Sequence, residues 1–126
     1  MQQVIVTDEA PMPVGPYSVG IATEALVFCS AQAGLDPRSG TLASGGVGPE
    51  TEQALRNLEA VLAAVGLTLR NVVRSTIYLA DINDFGVVND IYGRRMSAPL
   101  PARTTVGVAA LPLGAQIEIE MTAIRA

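Results

Sequence analysis

Apolar residues recur along this chain with two periods, and the switches between them outline eight elements. Gln2 to Val6 is a short apolar run that reads as a first strand, and Asp8 to Gly15, with Pro11, Pro13 and Gly15, reads as a loop. Val19 to Thr23 and Ala25 to Ala31 follow one another after a tight connection and predict a β-hairpin. Leu35 to Gly48 is rich in Gly, Ser and Pro, with a turn at Asp36 to Gly40, and reads as surface loop.

From Pro49 the period changes to that of a helix. Ala54, Leu55, Leu58, Val61, Leu62 and Val65 fall on one face. Pro49 suits the first helical position, Glu50 and Glu52 complement the positive end of the dipole, and Gly66 ends the run. Val72 to Ala80, rich in β-branched residues, predicts a strand. Asp81 to Asp84 offers capping side chains for a second helix, with Phe85, Val88, Ile91, Tyr92 and Met96 as its apolar stripe and Arg94 and Arg95 near its end. Gly86 and Gly93 weaken that helix, which is explained if they admit close packing.

Ser97 to Ala102 is a further Pro-containing loop. The last strands are Arg103 to Ala109 and Ala115 to Ile124, joined through a turn containing Pro112 and Gly114. The order is β-β-β-α-β-α-β-β, an α+β arrangement in one domain spanning residues 1–126, with no internal repeat. The final strand alternates strictly. Ile117, Ile119, Met121 and Ala123 take one face, and Glu118, Glu120 and Thr122 the other. Two helices cover one face of a sheet. With 49% hydrophobic and 16% charged residues, the other face is expected to meet another subunit in a homo-oligomer.

Composition narrows the chemistry. The chain has no histidine, and all eight basic residues are arginine. That excludes His-based triads, His metal sites, a Schiff-base lysine and a Walker A loop. Cys29 is alone, so there is no internal disulfide, and no spacing of carboxylates predicts a metal site. There is no apolar run long enough for a membrane helix and no secretory leader pattern, so a cytoplasmic location without a membrane partner is expected. Net charge is −4 and only Arg94 and Arg95 are adjacent, so there is no basic stripe for nucleic acid.

What remains is a small set of polar candidates. Arg103 can clamp a substrate carboxylate with its planar fork, or pair with Glu118 or Glu120 on a neighbouring strand. Glu118 can orient or deprotonate a water, or simply be solvated; Glu120 shares its face, and nothing local ranks the two. Two such carboxylates also suit glycoside hydrolysis, but sugar sites usually carry more aromatics than this chain has. Tyr17 closes a pocket or caps the edge of the core. Ser30 has no base beside it, so it suits hydrogen bonding to a ligand rather than covalent attack. Cys29 reads as a buried small residue, and mid-helix Asn89 faces either a site or solvent.

Taken together, Ala10-Pro11, Gly15-Pro16-Tyr17-Ser18, Phe28-Cys29-Ser30-Ala31-Gln32, Asn83-Asp84-Phe85 to Asn89, Pro101-Ala102-Arg103, Leu111-Pro112 and Ile117-Glu118-Ile119-Glu120 resemble the RidA/YjgF family, the reactive intermediate deaminases. The resemblance covers essentially the whole chain. It implies a chorismate-mutase-like, two-layer α+β fold, a mixed sheet with two helices on one face, assembled as a homotrimer with sites in the clefts between subunits. It implies cofactor-free hydrolysis of enamines and imines, of the 2-aminoacrylate and 2-iminopropanoate type, to 2-keto acids and ammonia. By position, Arg103 would hold the substrate carboxylate and Glu118 would position the attacking water. Tyr17, Ser30, Ala31, Asn89 and Thr105 would line the pocket. The alternatives are a non-catalytic module binding small carboxylates or a protein partner and, against the acidic balance, an endoribonuclease. Thr105 stands where the deaminases usually have cysteine, and Ala31 where they usually have glycine, which bears on substrate range.

Overall fold

A computed structural model describes residues 1–125. Its elements follow the expected order: β1 Gln3–Ile5, β2 Gly20–Ala22, β3 Leu26–Ala33, α1 Val47–Ala63, β4 Val72–Leu79, α2 Phe85–Arg95, β5 Ala102–Gly107 and β6 Ile117–Ile124. The strands form one mixed sheet in the order β1-β2-β3-β6-β4-β5. Only β4 and β5 run parallel, joined by the α2 crossover, and every other pair is antiparallel. The β2–β3 hairpin is present, its turn closed by bonds between Thr23 and Leu26.

The last two strands are not neighbours. β4 lies between β5 and β6, so the Pro112–Gly114 turn spans the sheet rather than forming a hairpin. Periodicity locates strands but carries no information about which strand pairs with which.

Both helices pack on one face. Leu55, Leu58, Leu62, Ile77, Ile117 and Ile119 are fully buried between the layers, each contributing about 1.5–3 kcal/mol of burial. The alternation read in β6 is the one observed: Ile117, Ile119, Met121 and Ala123 are buried, and Glu118, Glu120 and Thr122 lie on the uncovered face. That face also carries Phe28, 45% exposed, and Val106 on β5.

α1 begins two residues before Pro49, which sits third in the helix and not first. Gly46, at φ +95°, turns the chain into the helix with no side-chain cap. Pro49 is tolerated because amides of the first turn have no partner inside the helix. Gly66 ends the helix as expected. Its φ is +77°, and Leu67 N–H reaches back to the Leu62 carbonyl at 2.9 Å. Gly34 serves a different need, since a Cβ there would come within 2.4 Å of the Glu50 carbonyl oxygen, where β3 passes under the start of α1. Gly86 and Gly93 do not serve close packing within the chain: no atom lies within 4 Å of where their Cβ atoms would be, and both face outward.

Candidate functional site

The polar candidates gather into two groups. The first lies at the β5 edge under α2. Arg103 pairs in register with Ser75 of β4, so its side chain leaves the sheet on the helix-bearing side. There Nη2 donates to Asn89 Oδ1 at 2.5 Å. The guanidinium carbon lies over the Tyr92 ring, 5.0 Å from its centroid, and over the Phe85 ring at 5.6 Å. Phe85, Asn89 and Tyr92 fall at helical spacing on one side of α2, which is why one helix supplies all three contacts. Tyr92 O–H donates to Ser75 Oγ at 2.8 Å; burial pushes its phenol up from the usual value, while Ser75 and Arg103 act in the other sense.

Arg103 has no carboxylate partner among the described residues. The ion pairs there are Arg38 with Asp36, and Arg95 with Glu52 and Glu59. The expected alternative, a pair with Glu118 or Glu120, is not formed, because those carboxylates leave the opposite side of the sheet. A cleft of about 310 Å³ opens between Asn89, Tyr92, Gly93, Leu100, Pro101 and Arg103. Thr105 lies two residues along β5 on the side of Arg103, and its Oγ1 is the one buried side-chain polar atom without a hydrogen-bond partner among the described residues.

The second group lies on the uncovered face. The β3–β6 register shifts between Cys29 and Gln32, so Ser30 and Ala31 together stand opposite Glu120 in a bulge. The bulge brings Ser30 and Ala31 to a cleft of about 340 Å³ shared with Tyr17, Met12, Leu113 and Glu118. Ser30 Oγ donates to the Ser18 carbonyl at 2.6 Å, and Val14 N–H donates to the Tyr17 hydroxyl at 3.3 Å. These bonds tie the loop before β2 to the cleft. Glu118 makes no side-chain hydrogen bond among the described residues, and burial raises its carboxyl above the usual value of 4.5. Cys29 is buried, and its thiol is pushed up to about 12, so it is inert.

Periodicity does not rank Glu118 and Glu120, and only the resemblance singles out Glu118; in the structure the two carboxyls have different surroundings. Tyr78 of β4 donates its hydroxyl to Glu120 Oε1. Glu120 is engaged, and Glu118 faces the cleft. Tyr78 was missed, although its place in β4, between Ile77 and Leu79, already put it on the Glu118 and Glu120 side. Periodicity places Phe85 and Tyr92 only in an apolar stripe, yet Phe85 is 44% exposed and both lie against Arg103. The predicted residues therefore divide: Tyr17, Ser30, Ala31 and Glu118 in one cleft, Asn89 and Arg103 in the other. No group of three His, Cys, Asp or Glu among the described residues is arranged to hold a metal ion.

The family model described as Endoribonuclease L-PSP matches residues 7–125. The chain is 47% identical over 125 residues to a mouse protein named 2-iminobutanoate/2-iminopropanoate deaminase, covering 99% of this chain and 93% of that one. Among solved structures, a Thermotoga maritima protein described as a putative endoribonuclease superposes with a TM-score of 0.96 at 38% identity, covering 100% and 99% of the two chains. RidA from an Antarctic Psychrobacter gives 0.94 at 39% identity, covering 97% and 98%.

Proposed function

The chain belongs to the endoribonuclease L-PSP family, the family of the reactive intermediate deaminases, and from that premise we propose that it hydrolyses small 2-imino and 2-enamino acids to 2-keto acids and ammonia. The observation that carries this reading is the state of Arg103: a guanidinium held by an amide and two aromatic rings, with no carboxylate of its own among the described residues. Such a group is ready for the carboxylate of a ligand, and a charge-assisted contact of that kind contributes about 1.5–3 kcal/mol.

In the proposed reaction Arg103 clamps the substrate carboxylate and fixes the imine carbon in front of a water oriented by Glu118. Glu118 accepts a proton as the water oxygen bonds to carbon, and the C=N electron pair moves to nitrogen, which takes a proton from solvent. Glu118 then returns its proton to the amine nitrogen of the resulting carbinolamine, the hydroxyl proton leaves to solvent, the C–N bond breaks, and ammonia departs. An enamine enters the same sequence after tautomerising to the imine. The reaction is a hydrolysis with no change of oxidation state, so no electron carrier takes part. The raised carboxyl of Glu118 suits a base working near neutrality. Tyr17, Ser30 and Ala31 would line the water side of the pocket, and Asn89 and Thr105 the carboxylate side.

Arg103 and Glu118 leave opposite faces of one sheet, so one chain does not present both to one small substrate. A homotrimer, in which the arginine cleft of one copy closes against the glutamate cleft of the next, would unite them. The uncovered sheet face, with Phe28 and Val106 exposed on it, supports such an assembly.

The test generates 2-iminopropanoate in situ and follows its loss. Wild type is expected to accelerate the loss and Arg103→Ala to return it to the uncatalysed rate. If wild type and Arg103→Ala both match the uncatalysed rate for every 2-imino acid tried, the deaminase reading is wrong. The second reading, a module that binds small carboxylates without turnover, draws on the arginine cleft alone; it predicts that wild type binds a 2-keto acid tightly and accelerates nothing.

A further inference from the structure

Arg103 stands on β5, an edge strand, and nothing within the strand fixes the far end of its long side chain. Its fixing contacts come from α2, and one of them is itself anchored deeper. Tyr92 is 5% exposed, and its hydroxyl donates to Ser75 Oγ, a fully buried atom of the neighbouring strand β4. Its ring is therefore held at both ends: at Cβ by the helix and at the hydroxyl by the sheet. The guanidinium lies over this ring at 5.0 Å and over the more exposed Phe85 ring at 5.6 Å. An aromatic face holds the plane of a guanidinium and leaves its N–H edge free. Among the described residues only one N–H edge position is taken up, by Asn89. The sequence gives Tyr92 a different role, that of an apolar residue in the helix stripe, and a core residue would need no hydroxyl.

We propose that Tyr92 is a positioning residue for Arg103, its ring seating the guanidinium and its hydroxyl, tied to Ser75, fixing that seat on the sheet. The role rests on the carboxylate-clamp reading above and adds the element that sets the clamp's direction. It is distinct from a packing role in what it predicts. A loss of seat weakens the hold on a carboxylate in ground state and transition state alike, so it appears in KM and not in kcat.

The experiment measures kcat and KM on an in-situ 2-imino acid, together with the Kd of 2-oxobutanoate by calorimetry, for wild type, Tyr92→Leu, Tyr92→Phe and Phe85→Leu. Tyr92→Leu is expected to raise both KM and Kd about 5–30-fold, the size of a partly desolvated cation–π contact, with kcat changed by less than about threefold. Tyr92→Phe, which keeps the ring and drops only the bond to Ser75, should fall between wild type and Tyr92→Leu, with both constants about 2–4-fold above wild type. Phe85→Leu, at a half-exposed position that tolerates the change, should raise KM and Kd by a smaller factor; it carries the test if Tyr92→Leu does not fold. The proposal is overturned if the leucine variants bind 2-oxobutanoate as wild type does, if their loss lies in kcat, or if Tyr92→Phe is either indistinguishable from wild type or as impaired as Tyr92→Leu. Wild type that binds 2-oxobutanoate without turning over any imine sinks the deaminase reading and leaves this one standing. Wild type that binds no 2-keto acid sinks both.

Discussion

Glu118 and Glu120 stand two residues apart on the same side of β6, and a tyrosine from the neighbouring strand separates their chemistry. Tyr78 donates to Glu120; Glu118 is left facing a cleft, with burial raising its carboxyl. Glu118→Gln keeps the shape and removes the base, so kcat should fall by about 10²–10⁴ while the Kd of a 2-keto acid changes little. In wild type, kcat/KM should rise with pH through an apparent pKa above the ordinary carboxylate value, and Gln should abolish that limb. Stability carries the opposite sign. A carboxyl whose folded pKa is raised is better accommodated protonated, so its ionisation costs stability as pH rises through the window above 4.5. Glu118→Gln should therefore melt higher than wild type at neutral pH and converge with it in acid. A melting series that shows Gln lower at neutral pH would contradict the burial argument. Arg103 was legible in the sequence as a clamp or an ion-paired strand residue. Its actual contacts were not, because they come from a helix 11 to 18 positions earlier that sequence spacing along β5 and β6 does not reach.

At the scale of elements, each helix serves one cleft. α2 carries Phe85, Asn89 and Tyr92 to Arg103, and the ion pairs of Arg95 with Glu52 and Glu59 bind α2 to α1. Of the three buried polar residues of α1, Glu50 and Asn57 lie two turns apart on one face. Glu50 Oε1 accepts from Gln116 N–H at 2.9 Å, two residues before Glu118. Asn57 donates to the Ala33 and Leu35 carbonyls at 3.1 and 2.9 Å, and both those residues line the Glu118 cleft. Asn57→Ala removes two part-buried bonds to the Ala33 and Leu35 carbonyls and should cost about 1–3 kcal/mol, read as a lower urea midpoint at fixed protein concentration. A midpoint unchanged within error would mean that water replaces both bonds. The existence, type and order of the elements followed from period and punctuation. The bulge at Ser30 and Ala31 and the place of β6 between β3 and β4 did not, since both depend on pairing between distant segments.

At the scale of the whole molecule, the division of the candidate site between two faces makes a quantitative demand. If each working site takes Arg103 from one copy and Glu118 from the next around a closed ring, two inactive variants can complement each other. An Arg103→Ala chain still offers Glu118, and a Glu118→Gln chain still offers Arg103. Mixed in equal amounts, unfolded and reassembled together, half the positions on each side of an interface are intact, and about one quarter of the sites should hold both groups. The mixture should then recover about a quarter of wild-type activity per chain, while each variant reassembled alone stays near its background. If both groups acted from one chain, every site in the mixture would lack one of them and nothing would be recovered. Native mass spectrometry on the same samples, which separates chains differing by one arginine side chain, shows whether mixed oligomers formed, so a failure of exchange is not mistaken for a site contained in one subunit.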